Sequence, residues 1–335
     1  VNGNAMCSGS PFHKTATGPY IGVMTCCYVP TYQCPTAGTG GEAGVGGGPT
    51  AGVGGGPTAG VGPFAGAGGG RPFVVGRDLR VAEIVERSDW SAQAPETSDL
   101  SEEDRKALAR AWLDDALVEH ASVAAFARFT LELLALGAPP ELLRAAQAAA
   151  LDEIEHARLC FAVASRHARR PLGPGKLDVQ GAVETTDFVA FALRTFEEGC
   201  VGETLGALEA AERLAQASDP FVRAVLERIV EDEERHAELA WRAVQWAIRT
   251  GGVSVARAIE RAFHELAEAA PPRGDVPASE SGPAWRAHGR LSPSEAFASR
   301  RKGLSEVVAP CVRALLGSAA ARTDARSEAV VPLTS

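Results

Sequence analysis

Two short phrases in this chain place a carboxylate and an imidazole three residues apart: "DEIEHARL" at 152–159 and "DEERHAEL" at 232–239. Both follow Asp-Glu-x-x-His-Ala-x-Leu, and both lie in runs rich in Ala and Leu. On an α-helix, residues three apart share a face, so Glu153 with His156 and Glu233 with His236 can converge on one point. That chemistry suits metal ligation. One such pair is a weak signal, because acids fill 42 of 335 positions and the chain has seven histidines, so about one pair is expected by chance. The competing reading is a solvated helix face carrying i,i+4 ion pairs such as Glu231–Arg235.

The surrounding stripes argue against a solvated face. Residues at helical spacing around Glu233 and His236 are Val222, Leu226, Ile229, Ala240, Ala243 and Ala247. Around Glu153 and His156 they are Leu142, Ala146, Ala149, Cys160 and Val163. A carboxylate buried in such a stripe requires a proton, a cation or a metal. Two further acids repeat the situation. Glu119 lies on the stripe Trp112, Ala116, Val123, Phe126 and Leu133; Glu203 lies on Val189, Ala192, Phe196, Gly199, Ala207, Ala210 and Leu214. Glu119 precedes Glu153 by 34 residues and Glu203 precedes Glu233 by 30, so the two helix pairs read as versions of one unit. Four glutamates and two histidines then point to a dinuclear metal site.

With this ligand set, residues 100–250 resemble the ferritin-like di-iron carboxylate superfamily, in which two helices give a Glu each and two give Glu-x-x-His. "DEERH" at 232–236 is similar to the Asp-Glu-x-Arg-His phrase of its oxygenase and ribonucleotide-reductase branches, whereas "DEIEH" has Glu155 in place of Arg. The resemblance implies that Glu119, Glu153 and His156 serve one metal and Glu203, Glu233 and His236 the other, with Glu153 and Glu233 as bridges. It also implies that Asp152 bonds His236 across the core and Asp232 bonds His156, fixing both rings. The implied cofactor is two iron ions, with manganese or a mixed Fe/Mn pair as alternatives. The implied activity is a non-haem oxidoreductase acting with oxygen or peroxide, an unidentified small-molecule substrate and an unidentified electron donor. The alternatives are an iron-handling ferroxidase without organic substrate and a non-catalytic tethered envelope bundle. A homodimer is compatible with all three.

Positioning these residues requires long helices. "SDLSEEDRKALARAW" offers an N-cap serine with acids in the first turn, opening a helix that runs to about Leu136. A second helix ends near "RRPLGPG", and a connection of roughly 20 residues follows. The third spans about 187–217 and the fourth about 220–250; further helices are expected at 254–270 and 294–317. Short, long and short connections predict an all-α fold: a four-helix bundle with one long crossover, plus C-terminal helices. The expected organisation is a Cys-containing segment over 1–36 and a flexible Gly/Pro-rich linker over 37–71, the latter carrying "AGVGGGPT" twice. An extended segment or small hairpin around Gly76–Asp78 follows over 72–97, then the bundle over 98–251 and a helical extension and tail over 252–335.

Composition narrows the function classes. A net charge of −9 and the absence of a basic stripe disfavour nucleic acid. No apolar run reaches the length of a membrane span. Cys7, Cys26, Cys27 and Cys34 suggest one or two disulfides, and with the Gly-rich tether they point towards an extracytoplasmic or cell-envelope location. Cys160 and Cys200 are expected as free thiols, filling core as small residues. All three tyrosines precede the tether, which disfavours a tyrosyl-radical generator. Too few cysteines follow Cys200 for the Cys₄ module of rubrerythrin-like peroxidases, and the appendages disfavour a storage cage. His120 is rotated about 100° from Glu119 and is not expected to ligate. His167, His264 and His288 are expected at the surface or at caps, and Trp241 and Trp246 in packing.

Overall fold

The computed structural model describes residues 70–91, 100–183, 186–268 and 282–317. The four N-terminal cysteines and most of the Gly-rich repeat lie outside the described residues. The described chain is all-α with a few short strands. It opens with a hairpin of β1 (Val74–Val75) and β2 (Asp78–Leu79), turning at Gly76 as its Gly and Asp predict. The strand β3 (Ile84–Glu86) follows.

Four long helical stretches form the bundle. The helix α1 (Glu102–Ala135) starts where the Ser101 side chain accepts from the Asp104 amide, satisfying one of the free donors of the first turn. The helix α2 (Pro140–Ala168) starts with Pro at its first position, where a missing N–H costs nothing. The third stretch begins at α3 (Phe188–Arg194), capped by Asp187, and ends as α4 (Thr204–Gln216). The fourth, α5 (Pro220–Gly251), is capped by Asp219 and stops at Gly252. The long connection from Arg169 to Asp187 is not free loop: its strand β4 (Leu172–Pro174) pairs antiparallel with β3. The N-terminal segment is thereby laced to the crossover, a pairing that periodicity does not reveal.

The third helix, expected as one continuous span over 187–217, is interrupted. Thr195–Glu203 form a π-helical segment between α3 and α4. Its wider i→i+5 turn brings residues five apart towards one side, here Glu198 and Glu203, both buried. A second π-helical segment, Leu304–Val308, interrupts the last helical span: α8 (Pro293–Gly303) precedes it and helix resumes over 309–317. The helix α6 (Val253–Glu268) matches expectation, whereas the short α7 (Pro283–Ala287) was not foreseen.

Packing closes the bundle into two apolar halves. One contains Phe126, Phe129, Phe191, Phe196, Ala240 and Ala243; the other contains Trp112, Ala116, Phe161, Ala210, Val222 and Leu226. Ion pairs join α1 to the third stretch along its length: Arg194 with Glu132, Arg128 with Glu198 at 2.7 Å, and Arg213 with Asp115 at 2.7 Å. No described helix is long and apolar enough to cross a membrane. Cys160 and Cys200 are free and buried, and burial pushes both thiols well above their usual range. Cys311, in contrast, is disulfide-bonded.

His167, expected at the surface or at a cap, is instead internal, whereas His288 stands at the C-cap of α7, one of its two expected places. His167 and His288 are both buried, their rings 5.1 Å apart and edge to face. The Trp112 indole donates to the His288 carbonyl, which ties α7 to α1. Among the described residues, neither ring nitrogen of His167 has a hydrogen-bond partner. Burial, and then the His288 and Arg166 charges, push its pKa down to about 3. An unfolded histidine titrates near about 6.5, so between these values the unfolded chain binds the extra proton. This contribution to stability is complete above pH 6.5 and is lost as pH falls through the window. His167→Gln should flatten the acid limb of a urea-unfolding series by on the order of 1 kcal/mol per pH unit. Superimposable limbs for the two proteins would contradict the assignment. His264 is exposed, as expected.

Candidate metal centre

Between the two apolar halves, α1, α2, the π-helical segment and α5 each present one acid to a common centre. Glu119, Glu153, Glu203 and Glu233 are all buried, as are His156 and His236. Their ligand-type atoms form two groups, each within 4.8 Å: Glu119, Glu153, His156 and Glu233; and Glu153, Glu203, Glu233 and His236. Glu153 and Glu233 belong to both. The two imidazoles face each other with ring centres 5.8 Å apart.

Among the described residues, eight buried atoms here lack a hydrogen-bond partner: both oxygens of Glu153 and Glu233, one oxygen each of Glu119 and Glu203, and Nδ1 of both histidines. Buried polar atoms without partners are rare because each forfeits its hydration. Nor does mutual pairing resolve them. His156 Nδ1 stands 3.5 to 3.7 Å from oxygens of Glu233, Glu119 and Glu153. His236 Nδ1 is 3.1 Å from Glu153 Oε1, yet neither atom has a hydrogen bond. Carboxylate oxygens and imidazole nitrogens around one centre are donors of the kind that metal ions take. The cluster could hold a metal ion.

The other ring nitrogens are held from outside. His156 Nε2 is 3.0 Å from Asp232 Oδ2, and His236 Nε2 is 3.3 Å from Asp152 Oδ2. Each aspartate thus reaches the histidine of the opposite helix, orienting its ring so that Nδ1 faces the centre. Two half-exposed arginines hold the aspartates. Arg228 Nε lies 2.7 Å from Asp232; one Arg235 nitrogen lies 2.6 Å from Asp232 and 3.0 Å from Asp152. Among the described residues, the Glu231–Arg235 ion pair of the competing solvated-face reading does not form. Arg235 touches only the Glu231 carbonyl and turns to the aspartates, whose partly buried charges attract it more strongly. Asp232→Asn keeps the shape but changes which ring nitrogen carries the proton. It should weaken divalent-metal affinity by about 10- to 100-fold, as read by competition with a chromophoric chelator; unchanged affinity would remove the orienting role.

Protonation follows from the same geometry. Burial, then the Glu153 charge, raises Glu119 well above the ordinary carboxylate range. Burial, then the Glu233 charge, does the same to Glu203. Burial would raise Glu153, but the two histidines outweigh it and hold its carboxylate ionised. Burial disfavours charge on the histidines too. Asp152 and Glu153 nevertheless lift His236 to about 9, and Asp232 with the three nearby glutamates lifts His156 well above its usual value. Without a metal the cluster therefore retains protons, and divalent ions would displace them.

All six residues expected to ligate lie in this cluster, and Asp152 and Asp232 lie against it. His120 lies outside, edge to face with Trp90 at 5.1 Å. Trp241 donates to Thr204 and packs on Phe196, and Trp246 packs on Phe188 and Phe191. One participant was missed. Arg71, placed at the end of the linker by composition, is 1% exposed, and its Nε lies 3.4 Å from Glu203 Oε1. No sequence signal separates it from an ordinary linker arginine. No protein-family model, curated protein or solved structure matches the chain.

Proposed function

We propose that the chain is a ferritin-like dinuclear metal protein, with two iron ions as its cofactor and oxygen- or peroxide-dependent oxidation as its reaction class. The observation carrying this reading is the distribution of the eight partnerless atoms. Glu153 and Glu233 offer both oxygens, as bridging carboxylates require, whereas Glu119 and Glu203 each offer one, as terminal ligands require. Glu119 with His156 would complete one metal's shell and Glu203 with His236 the other's. Oxygen and nitrogen donors suit iron or manganese better than thiophilic metals.

Bound iron would supply the one-electron steps that such oxidations need. The protein's own part is positional. Asp152 and Asp232 hold the imidazoles, Arg228 and Arg235 hold the aspartates, and the apolar layers above and below exclude bulk water. Four carboxylates balance two divalent ions.

Elemental analysis of protein expressed in iron- and manganese-replete medium is the direct test. Two ions per chain are expected, with optical spectra that change on exposure to oxygen. Protein that binds neither metal at stoichiometric level would overturn the reading.

A further inference from the structure

Arg71 lies beyond the ligand set, yet the fold is shaped around it. Its guanidinium rests on the faces of Phe126 and Phe129, 4.5 and 4.4 Å from their ring centres. The Phe126 ring in turn packs 5.2 Å from that of His236. The segment carrying Arg71 is fastened to α1: Ser122 Oγ donates to the Arg71 carbonyl at 2.8 Å and Arg128 donates to the Val74 carbonyl. Gly70 has φ +89°, and a Cβ there would stand 2.7 Å from Glu119 Oε2. Only glycine lets the backbone pass so close to a ligand carboxylate in that conformation. Across the site, a Cβ on Gly199 of the π-helical segment would meet Arg71 Nη2 at 2.5 Å. Gly70 before the arginine and Gly199 against its Nη2 arm thus both leave out a side chain.

For all this accommodation, Arg71 is poorly satisfied. Its single ion pair among the described residues is the 3.4 Å approach to Glu203, and Nη2 has no hydrogen-bond partner. Glu198, also within electrostatic reach, is engaged by Arg128 through two bonds of 2.7 and 2.9 Å. The adjacent Cys200 thiol is kept neutral by burial. A buried guanidinium with an unused arm is costly unless a partner arrives.

Charge balance says what that partner is. Two divalent ions and the four carboxylates of Glu119, Glu153, Glu203 and Glu233 sum to zero. Asp152 and Asp232 are offset by Arg228 and Arg235, and Glu198 by Arg128. Arg71 leaves one positive charge over. We infer that Arg71 is an anion-positioning residue: the metal-loaded site takes one small monoanion, a carboxylate or similar group, held by the Arg71 Nη2 arm beside the metals. The inference rests on the dinuclear reading above and names the class of ligand that site admits.

The test uses full-length protein loaded with cobalt(II), a divalent stand-in with visible bands that respond to ligation. Metal stoichiometry is measured first, so that a failure to bind metal, which sinks the dinuclear reading and this inference with it, is separated from a failure to bind anion. Azide and formate are then titrated, with neutral formamide as the control. One azide or formate per chain is expected, with no response to formamide. Arg71→Met, which keeps an unbranched apolar side chain over Phe126 and Phe129, should retain both metals and bind azide at least about tenfold more weakly. Equal azide affinity in Arg71→Met, or no anion binding by the two-metal wild-type protein, would overturn the inference. Should Arg71→Met fail to fold, Arg71→Lys decides. It keeps the charge but loses the second arm, so weaker azide binding with two metals retained supports the role and unchanged binding refutes it.

Discussion

Glu153→Gln and Glu233→Gln should each lose both metal ions, whereas Glu119→Gln and Glu203→Gln should each lose one. The asymmetry follows from geometry, since Glu153 and Glu233 belong to both ligand groups and Glu119 and Glu203 to one each. A second contrast separates metal binding from folding. Burial keeps Glu119 and Glu203 protonated when no metal is present, so glutamine there replaces one neutral group with another. Metal-free Glu119→Gln and Glu203→Gln should match metal-free wild type to within about 1 kcal/mol. With metal at about 100 to 1,000 times its dissociation constant, the wild-type chain should gain roughly 3 to 4 kcal/mol, and the bridging variants should gain none. Elemental analysis with melting curves in the presence and absence of metal reads both effects. A Glu153→Gln protein that still holds two ions would refute the bridging assignment.

Asp115→Ala should be the most destabilising single substitution away from the metal centre. Asp115 is buried on α1, where Arg213 of α4 lies 2.7 Å away and Arg290, which precedes α8, contacts the same oxygen. Burial works against its charge, but the two arginines overcome this and hold its pKa below the usual value. Both guanidiniums lie over the Trp112 ring, 4.8 and 5.6 Å from its centre. Removing the aspartate leaves two buried cations facing each other with only the weaker pull of Glu209 to balance them. A loss of about 3 to 5 kcal/mol is expected, measured by urea unfolding of metal-free protein to keep the metal out of the comparison. Arg290→Met should cost less, since Arg213 remains to pair Asp115. A loss below about 1 kcal/mol for Asp115→Ala would show that water or another group already satisfies these arginines.

Much of the bundle was legible because its signals are local. Ser101 and Asp219 are capping residues directly before helical runs, Gly252 follows the last periodic residue of α5, and all three act as such signals predict. The Glu-x-x-His spacing fixes two ligand-type groups on one helix face whatever the helix packs against. The interruption of the third helix was not legible. Its apolar stripe continues through Thr195–Glu203, and the π turn is decided by what surrounds it: Gly199 lies under Ala240 and Arg71, and Glu198 is drawn to Arg128 of α1.

The burial of His167 against His288 shows the same limit, since 121 positions separate them and neither carries a local sign of the other. Arg71 is the sharpest case: composition assigned it to a linker, and a contact 132 residues away made it part of the site. The sequence by itself determined that two carboxylate–imidazole pairs and two lone glutamates sit on apolar helix faces, because helical periodicity and the cost of burying charge are local physics. Only the tertiary structure decided which atoms are left without partners, which oxygens can bridge, and that an arginine closes one side. Those depend on distances between helices, which packing sets and no single stretch of chain encodes.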